Sequence, residues 1–114
     1  MAVITATSIT SGSATVTRTT LSASDTFVYE SSSRPVLILD NVTGGGLTVN
    51  IDGDGASAVS VAGVGSVDIS GGYSTATIAA GTTLAIDLRK ISAYLSGTIT
   101  VTGGTGIEAM LLEY

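Results

Sequence analysis

Apolar and small polar side chains alternate along this chain in short runs, and glycine ends most of them. Leu84, Ile86 and Leu88 alternate with Ala85, Asp87 and Arg89. Leu47, Val49 and Ile51 alternate with Thr48, Asn50 and Asp52, and Thr98-Ile99-Thr100-Val101-Thr102 repeats the pattern. A period of two sends successive side chains to opposite faces of a strand, so each run reads as a half-buried β-strand. No segment sustains a 3.6-residue period with caps. Turn signals recur about every ten residues, the spacing of an all-β sandwich or barrel. No repeat of fixed period and no linker divides the chain, and its 114 residues fit one domain with a single core.

Residues 34–55 form the centre of this reading. Val36-Leu37-Ile38-Leu39 is a continuous apolar run, opened by the only proline, Pro35, and closed by Asp40 and Asn41. That predicts a strand buried on both faces. The alternating strand from Leu47 to Ile51 follows, and Asn41-Val-Thr-Gly-Gly-Gly46 between them predicts a hairpin loop. Upstream, Val3 to Ile9 is either a first strand or part of an extended N-terminal arm covering residues 1–13, with the sandwich proper at 14–114. Ser11-Gly12-Ser13 reads as a turn, Ala14 to Thr20 as a strand with Arg18 exposed, Phe27-Val28-Tyr29 as a strand and Ser31-Ser32-Ser33 as a loop. Downstream, Ala58 to Ala62 and Val67 to Ile69 flank Gly63-Val64-Gly65. Gly71-Gly72 turns the chain, Tyr73 to Ala79 reads as a strand with Ile78 inward, and Ile91 to Leu95 is a strand or one helical turn. Ile107 to Leu112 is the final strand.

Charge and composition narrow the function. Charged residues are 11% of the chain, against about a quarter in an average domain. Threonine, serine and glycine cover the surface instead, which favours broad protein contact without desolvating many ions. Net charge is −5, and Arg18, Arg34, Arg89 and Lys90 form no cluster beyond one adjacent pair. Phosphate neutralisation, and with it nucleic-acid binding, is not expected. There is no cysteine and no histidine. Thiolate chemistry is excluded, and so are the commonest general base and the commonest transition-metal ligand. The start, Met1-Ala-Val-Ile-Thr-Ala-Thr, lacks the basic and uninterrupted apolar regions of a signal peptide, and no apolar window of about 18 residues predicts a membrane span.

Each candidate motif has a plainer reading. Asn50-Ile51-Asp52-Gly53-Asp54-Gly55 matches the first half of a calcium loop, with Asn50, Asp52 and Asp54 as oxygen ligands. The twelfth position, where a bidentate glutamate belongs, is Val61, and no helices flank the loop. The stretch is read as a turn and the metal set is put aside. Gly44 to Gly46 and Gly103-Gly104-Thr105-Gly106 lack the lysine and the following helix of a phosphate cradle, so they too are turns. Asp25, Glu30, Asp40, Asp68, Asp87 and Glu108 offer carboxylates for glycoside hydrolysis, but strand spacing singles out no pair. No serine has a histidine or lysine partner. An enzyme is not expected, nor is a cofactor. Tyr29, Tyr73, Tyr94 and Tyr114 are the only aromatic rings besides Phe27 that offer a sugar a stacking surface, and each has an ordinary reading as a core or rim residue.

The chain resembles the small capsid decoration, or cement, proteins of tailed bacteriophages. The resemblance rests on Phe27-Val-Tyr29, Val36-Leu-Ile-Leu-Asp-Asn-Val-Thr43, Leu47-Thr-Val-Asn-Ile-Asp-Gly-Asp-Gly55 and Gly63-Val-Gly65. It extends to Ile91-Ser-Ala-Tyr-Leu95 and Gly97-Thr-Ile-Thr-Val-Thr-Gly-Gly104. It implies a single-domain antiparallel β-sandwich, jelly-roll-like, made in the host cytoplasm and bound to the exterior of the virion. Its partner would be the major capsid protein, with self-association into a dimer or trimer as a further expectation. Ala2, Val3, Ile4, Thr5, Tyr29 and Arg34 are the residues expected at the contact, the first four on an arm able to add a strand to a partner's sheet. A β-sandwich carbohydrate-binding or adhesion module is the alternative, and a calcium-stabilised structural module is a third.

Overall fold

Leu37 and Leu39 are fully buried, while Val36, Ile38 and Asp40 between and beside them are half-exposed. That alternation shows the outcome of the period-two pattern: each strand gives one face to a core between two sheets. The computed structural model describes residues 2–9, 12–30, 34–55 and 58–113. Its strands are β1 (Ala2–Val3), β2 (Ala6–Ser8), β3 (Thr19–Thr20), β4 (Ser24–Phe27), β5 (Val36–Asp40) and β6 (Asn50–Gly53). They continue as β7 (Ala58–Val61), β8 (Gly65–Asp68), β9 (Tyr73–Ser74), β10 (Thr83–Asp87), β11 (Ile99–Thr102) and β12 (Glu108–Glu113). Two short 3-10 turns, kinked at Ile91 (φ −116°, ψ 23°), span Leu88–Tyr94.

The first sheet has the order β1-β4-β11-β6-β9. The second has the order β10-β5-β12-β2, with β3 also on β12. Pairings are antiparallel except β1 on β4 and β2 on β12. The fold is an all-β sandwich. Phe27, Ile51, Ile99 and Val101 line the first sheet's inner face, and Leu37, Leu39, Ile86, Ala109 and Leu111 line the second's. β7 and β8 form a separate hairpin around Gly63-Val64. Among the described residues no helix is long and apolar enough to cross a membrane.

The expected central hairpin does not form. β5 belongs to the second sheet and β6 to the first, so the loop between them crosses the sandwich. Alternation identifies a strand's apolar face but not its pairing edge, and these two strands meet face to face across the core. Asn41 anchors the crossing. It is fully buried, and its Nδ2 donates to the Gly45 carbonyl at 2.9 Å and the Ile78 carbonyl at 2.7 Å. Its Oδ1 accepts from Thr43 N at 3.0 Å and from Thr43 Oγ1 at 2.6 Å. Leu47 then makes an isolated bridge with Ile78. Nor is the run from Val36 to Leu39 fully buried on both faces: Leu37 and Leu39 are buried in the core, whereas Val36 and Ile38 on the other face are only partly buried.

Residues 2–9 fold as two short strands at the edges of the two sheets. Ile4 lies between them at 2% exposure and donates its N–H to the Thr26 carbonyl at 2.8 Å. Ile9 N bonds the Glu113 carbonyl at 2.8 Å. The segment thus joins the open edges of both sheets. Of the strand expected over Ala14 to Thr20, only Thr19–Thr20 pairs. The strand expected at Phe27-Val28-Tyr29 lies earlier, at Ser24–Phe27. That expected over Tyr73 to Ala79 is reduced to Tyr73–Ser74, with Ile78 inward as expected. Of the strand or helical turn expected over Ile91 to Leu95, the structure has the turn, a short 3-10 turn that follows a kink at Ile91 and ends at Tyr94. The Ser31–Ser33 loop, Ser11 of the first turn and Tyr114 lie outside the described residues.

The Asn50–Gly55 stretch owes its glycines to packing. A Cβ at Gly53 would sit 2.5 Å from the carbonyl oxygens of both Tyr94 and Ser96, so only glycine lets the end of the 3-10 helix dock on β6. Gly97, at φ +77°, faces Asp54 from the other side, where a Cβ would collide with Asp54 Oδ1.

Candidate partner-binding surface

The outer face of the first sheet gathers small polar side chains from four strands. Cross-strand register aligns Ser24, Thr102, Asn50 and Ser74 in one row and Thr26, Thr100 and Asp52 in the next. Asp52 is the only charge among these seven residues. Thr48 and Thr77 extend the face, their hydroxyls 3.4 Å apart. Each position follows from alternation, because the neighbouring residues Ile51, Ile99 and Val101 point into the core.

At one margin of this sheet stand two exposed valines, Val3 at 65% and Val28 at 68%. They separate two grooves. The larger, about 370 Å³, is lined by Phe27, Tyr29, Leu95 and Thr98. The smaller, about 220 Å³, runs past Thr5, Ala6 and Leu111 to Glu30 and Glu113. Val42 and Val64, the tip of the β7–β8 hairpin, are the other large apolar side chains well exposed among the described residues. The second sheet turns half-buried Val36, Ile38, Met110 and Leu112 outward.

Of the residues expected at a contact, Val3, Thr5 and Tyr29 lie together at this margin, and β1 places Ala2 beside them in sequence. Ile4 is corrected: its side chain is core, because the chain passes between the sheets there. Arg34 is exposed, at φ +49° immediately before Pro35, and lines neither groove.

The remaining candidates are placed as follows. Asn50 donates to the Gly71 carbonyl at 2.9 Å and to Ser74 Oγ at 3.1 Å, and Asp54 Oδ1 accepts from Thr98 N at 2.9 Å. Among the described residues no three acidic side chains stand close enough to hold a metal ion. Asp25 is fully buried and accepts from Ser22 N at 2.7 Å and Ser22 Oγ at 2.8 Å, tying down the turn before β4. The Ser70 backbone N–H, 2.9 Å from Asp68 Oδ1, holds that carboxyl below the usual aspartate range. Tyr29 and Tyr73 lean on the core, and Tyr73 meets Tyr94 edge to face at 5.8 Å.

One cluster was invisible in the sequence. Asp40 and Glu108 face each other across β5 and β12, and Arg18 reaches over both, at 3.0 Å and 3.9 Å. Thr20 Oγ1 donates to Glu108 at 2.7 Å. Only strand register brings these residues together. They form an ion-pair network on an open sheet face, not two acids in a cleft. Among the described residues every buried side-chain nitrogen and oxygen has a partner, so no orphan polar group marks a ligand position.

Comparison with known proteins adds nothing to this geometry: no family model, curated protein or solved structure matches the chain.

Proposed function

We propose that this protein is a non-catalytic capsid decoration protein. It binds the outside of an expanded tailed-phage head, bridges neighbouring major capsid subunits and stabilises the shell after synthesis in the host cytoplasm. The observation that carries the reading is the outer face of the first sheet, seven aligned side chains with a single charge, bordered by Val3 and Val28. Such a face loses little on desolvation when it meets a broad protein surface, because hydroxyls and amides re-form hydrogen bonds where buried ions would need partners. A protein that binds only the assembled shell stabilises it by mass action, and many symmetry-related copies act together. The glycan-binding alternative has no comparable observation, since the described tyrosines are half-buried against the core or one another.

The test is co-sedimentation of the purified protein with undecorated expanded heads of the phage that encodes it, beside unexpanded procapsids. Saturable binding to expanded heads alone is expected. Binding to neither particle overturns the reading.

A further inference from the structure

We propose that residues 28–30, with residues 3–6 beside them, form a strand-addition site for an extended segment of another polypeptide. That segment carries a lysine or arginine among small apolar side chains. The inference names partner chemistry for the binding role above and rests on it.

The first ground is the backbone. β1 is the outer strand of its sheet and pairs with β4 on one side only. Its ladder stops at the bond from Ile4 N to the Thr26 carbonyl. The chain of β4 continues beyond, and no hydrogen bond joins the backbone of residues 28–30 to another described residue. Exposed donors and acceptors next to a sheet edge are a template for an added strand. Natural edges are commonly blunted by lysine or proline, and neither occurs at residues 2–6 or 26–30.

The second ground is the relief beside that backbone. Val3 and Val28 stand up between the two grooves, so the site offers apolar depressions on both sides of one ridge. An added strand sends alternate side chains to opposite sides, and small apolar residues suit such depressions.

The third ground is charge, and it selects the occupant. Glu30 and Glu113 rim the smaller groove, and among the described residues no basic side chain lines either groove. A second copy is a poor fit. Each chain carries −5, and two of its four basic residues already face their own carboxylates, Arg18 on Asp40 at 3.0 Å and Arg89 on Asp87 at 4.0 Å. A segment bearing lysine or arginine meets the acidic rim with complementary charge.

The test uses the full chain, isotope-labelled for NMR, and two synthetic peptides of alternating valine and threonine. One has a central lysine and the other a central glutamate. Expected are saturable shifts confined to residues 3–6 and 26–30, slowed amide exchange at Val28, Tyr29 and Glu30, and about fivefold tighter binding of the lysine peptide at low salt. Glu30→Gln combined with Glu113→Gln removes the preference, and Val28→Asp, which changes an exposed side chain, removes binding while leaving the melting temperature near that of the parent. Absence of saturation at millimolar peptide, shifts elsewhere, or equal binding of both peptides overturns the proposal. A chain that sediments with expanded heads but ignores both peptides sinks this site and leaves the decoration role standing. Peptide binding without head binding does the reverse.

Discussion

Asn41→Ala is the most informative single change to the fold. Asn41 is fully buried and fixes the only stretch that carries the chain from β5 to β6 across the sandwich. Its side chain makes four hydrogen bonds, to Gly45, Ile78 and twice to Thr43, at 2.6 to 3.0 Å. A typical intramolecular hydrogen bond contributes about 0.5–1.5 kcal/mol net. The two carbonyls keep other donors, Leu47 N on Ile78 and Thr43 Oγ1 on Gly45, so neither acceptor is stranded. Four modest bonds without an orphaned carbonyl give a loss of about 3 kcal/mol, a large share of the roughly 5–15 kcal/mol that stabilises a domain. The assay is urea unfolding at constant slope, with the melting temperature falling by roughly 10 °C.

Asn41→Asp separates hydrogen bonding from volume. Its carboxylate would confront the carbonyls of Gly45 and Ile78, which the amide now approaches at 2.9 and 2.7 Å. Only the protonated acid can donate there, so the folded-state pKa of the new group lies above its unfolded value. Stability relative to the parent is then worst at neutral pH and recovers as pH falls toward the unfolded carboxyl value. A loss under about 1 kcal/mol for Asn41→Ala, or an Asn41→Asp penalty independent of pH, would refute the reasoning.

Gly53→Ala forces a Cβ to 2.5 Å from two backbone carbonyl oxygens and is expected to cost about 2–3 kcal/mol in the same unfolding assay; a loss within experimental scatter would mean the helix end is not held against β6. Arg18→Ala removes an ion pair whose arginine is 48% exposed, so about 0.2–1 kcal/mol is expected, and a loss of several kcal/mol would show the network to be structural. Asp68 has a folded-state pKa depressed by the Ser70 backbone N–H, so its contribution is present above the unfolded value and is lost as pH falls through the lowered one. A chemical-shift titration should place its midpoint below 3.8, and a midpoint at or above that value contradicts the hydrogen bond.

How much of this was legible in the sequence differs by scale. The inward residues of β10 and β11 were readable because Ile86, Ile99 and Val101 recur at period two between turn residues, whereas the run Ile107 to Leu112 is apolar on both faces and gave a strand without a face. The β7–β8 hairpin was only half readable: Gly63-Val64-Gly65 marked an interruption between two runs, but that the runs pair with each other is a property of the fold. The β5–β6 pairing was misread because three glycines accommodate a tight hairpin and a crossing loop equally well. What decides is Asn41, whose buried amide satisfies carbonyls on both sides of the crossing. Thr19–Thr20 and Tyr73–Ser74 were overextended for a related reason. Threonine-rich sequence has strand propensity throughout, but pairing stops where no partner strand is in reach.

The candidate surface was legible only as composition. Scarce charge and abundant threonine announced an uncharged surface, while the register that lines up Thr26 with Thr100 and Ser24 with Thr102 is a property of the assembled sheet. The margin at Val3 and Val28 is harder still to read, because what sets it apart lies in backbone groups that every residue possesses. A catalytic site concentrates its chemistry in rare side chains at fixed spacing, which a sequence displays directly. A strand edge distributes it over N–H and C=O groups, and whether those groups are paired depends on which strands stop short. Here Val28 looks in sequence like one more strand residue after Phe27. Its backbone lies beyond the β1 ladder because the chain turns at Ile4 to cross the core. The same turn of the chain that buries Ile4 therefore leaves the backbone of residues 28–30 without a partner among the described residues.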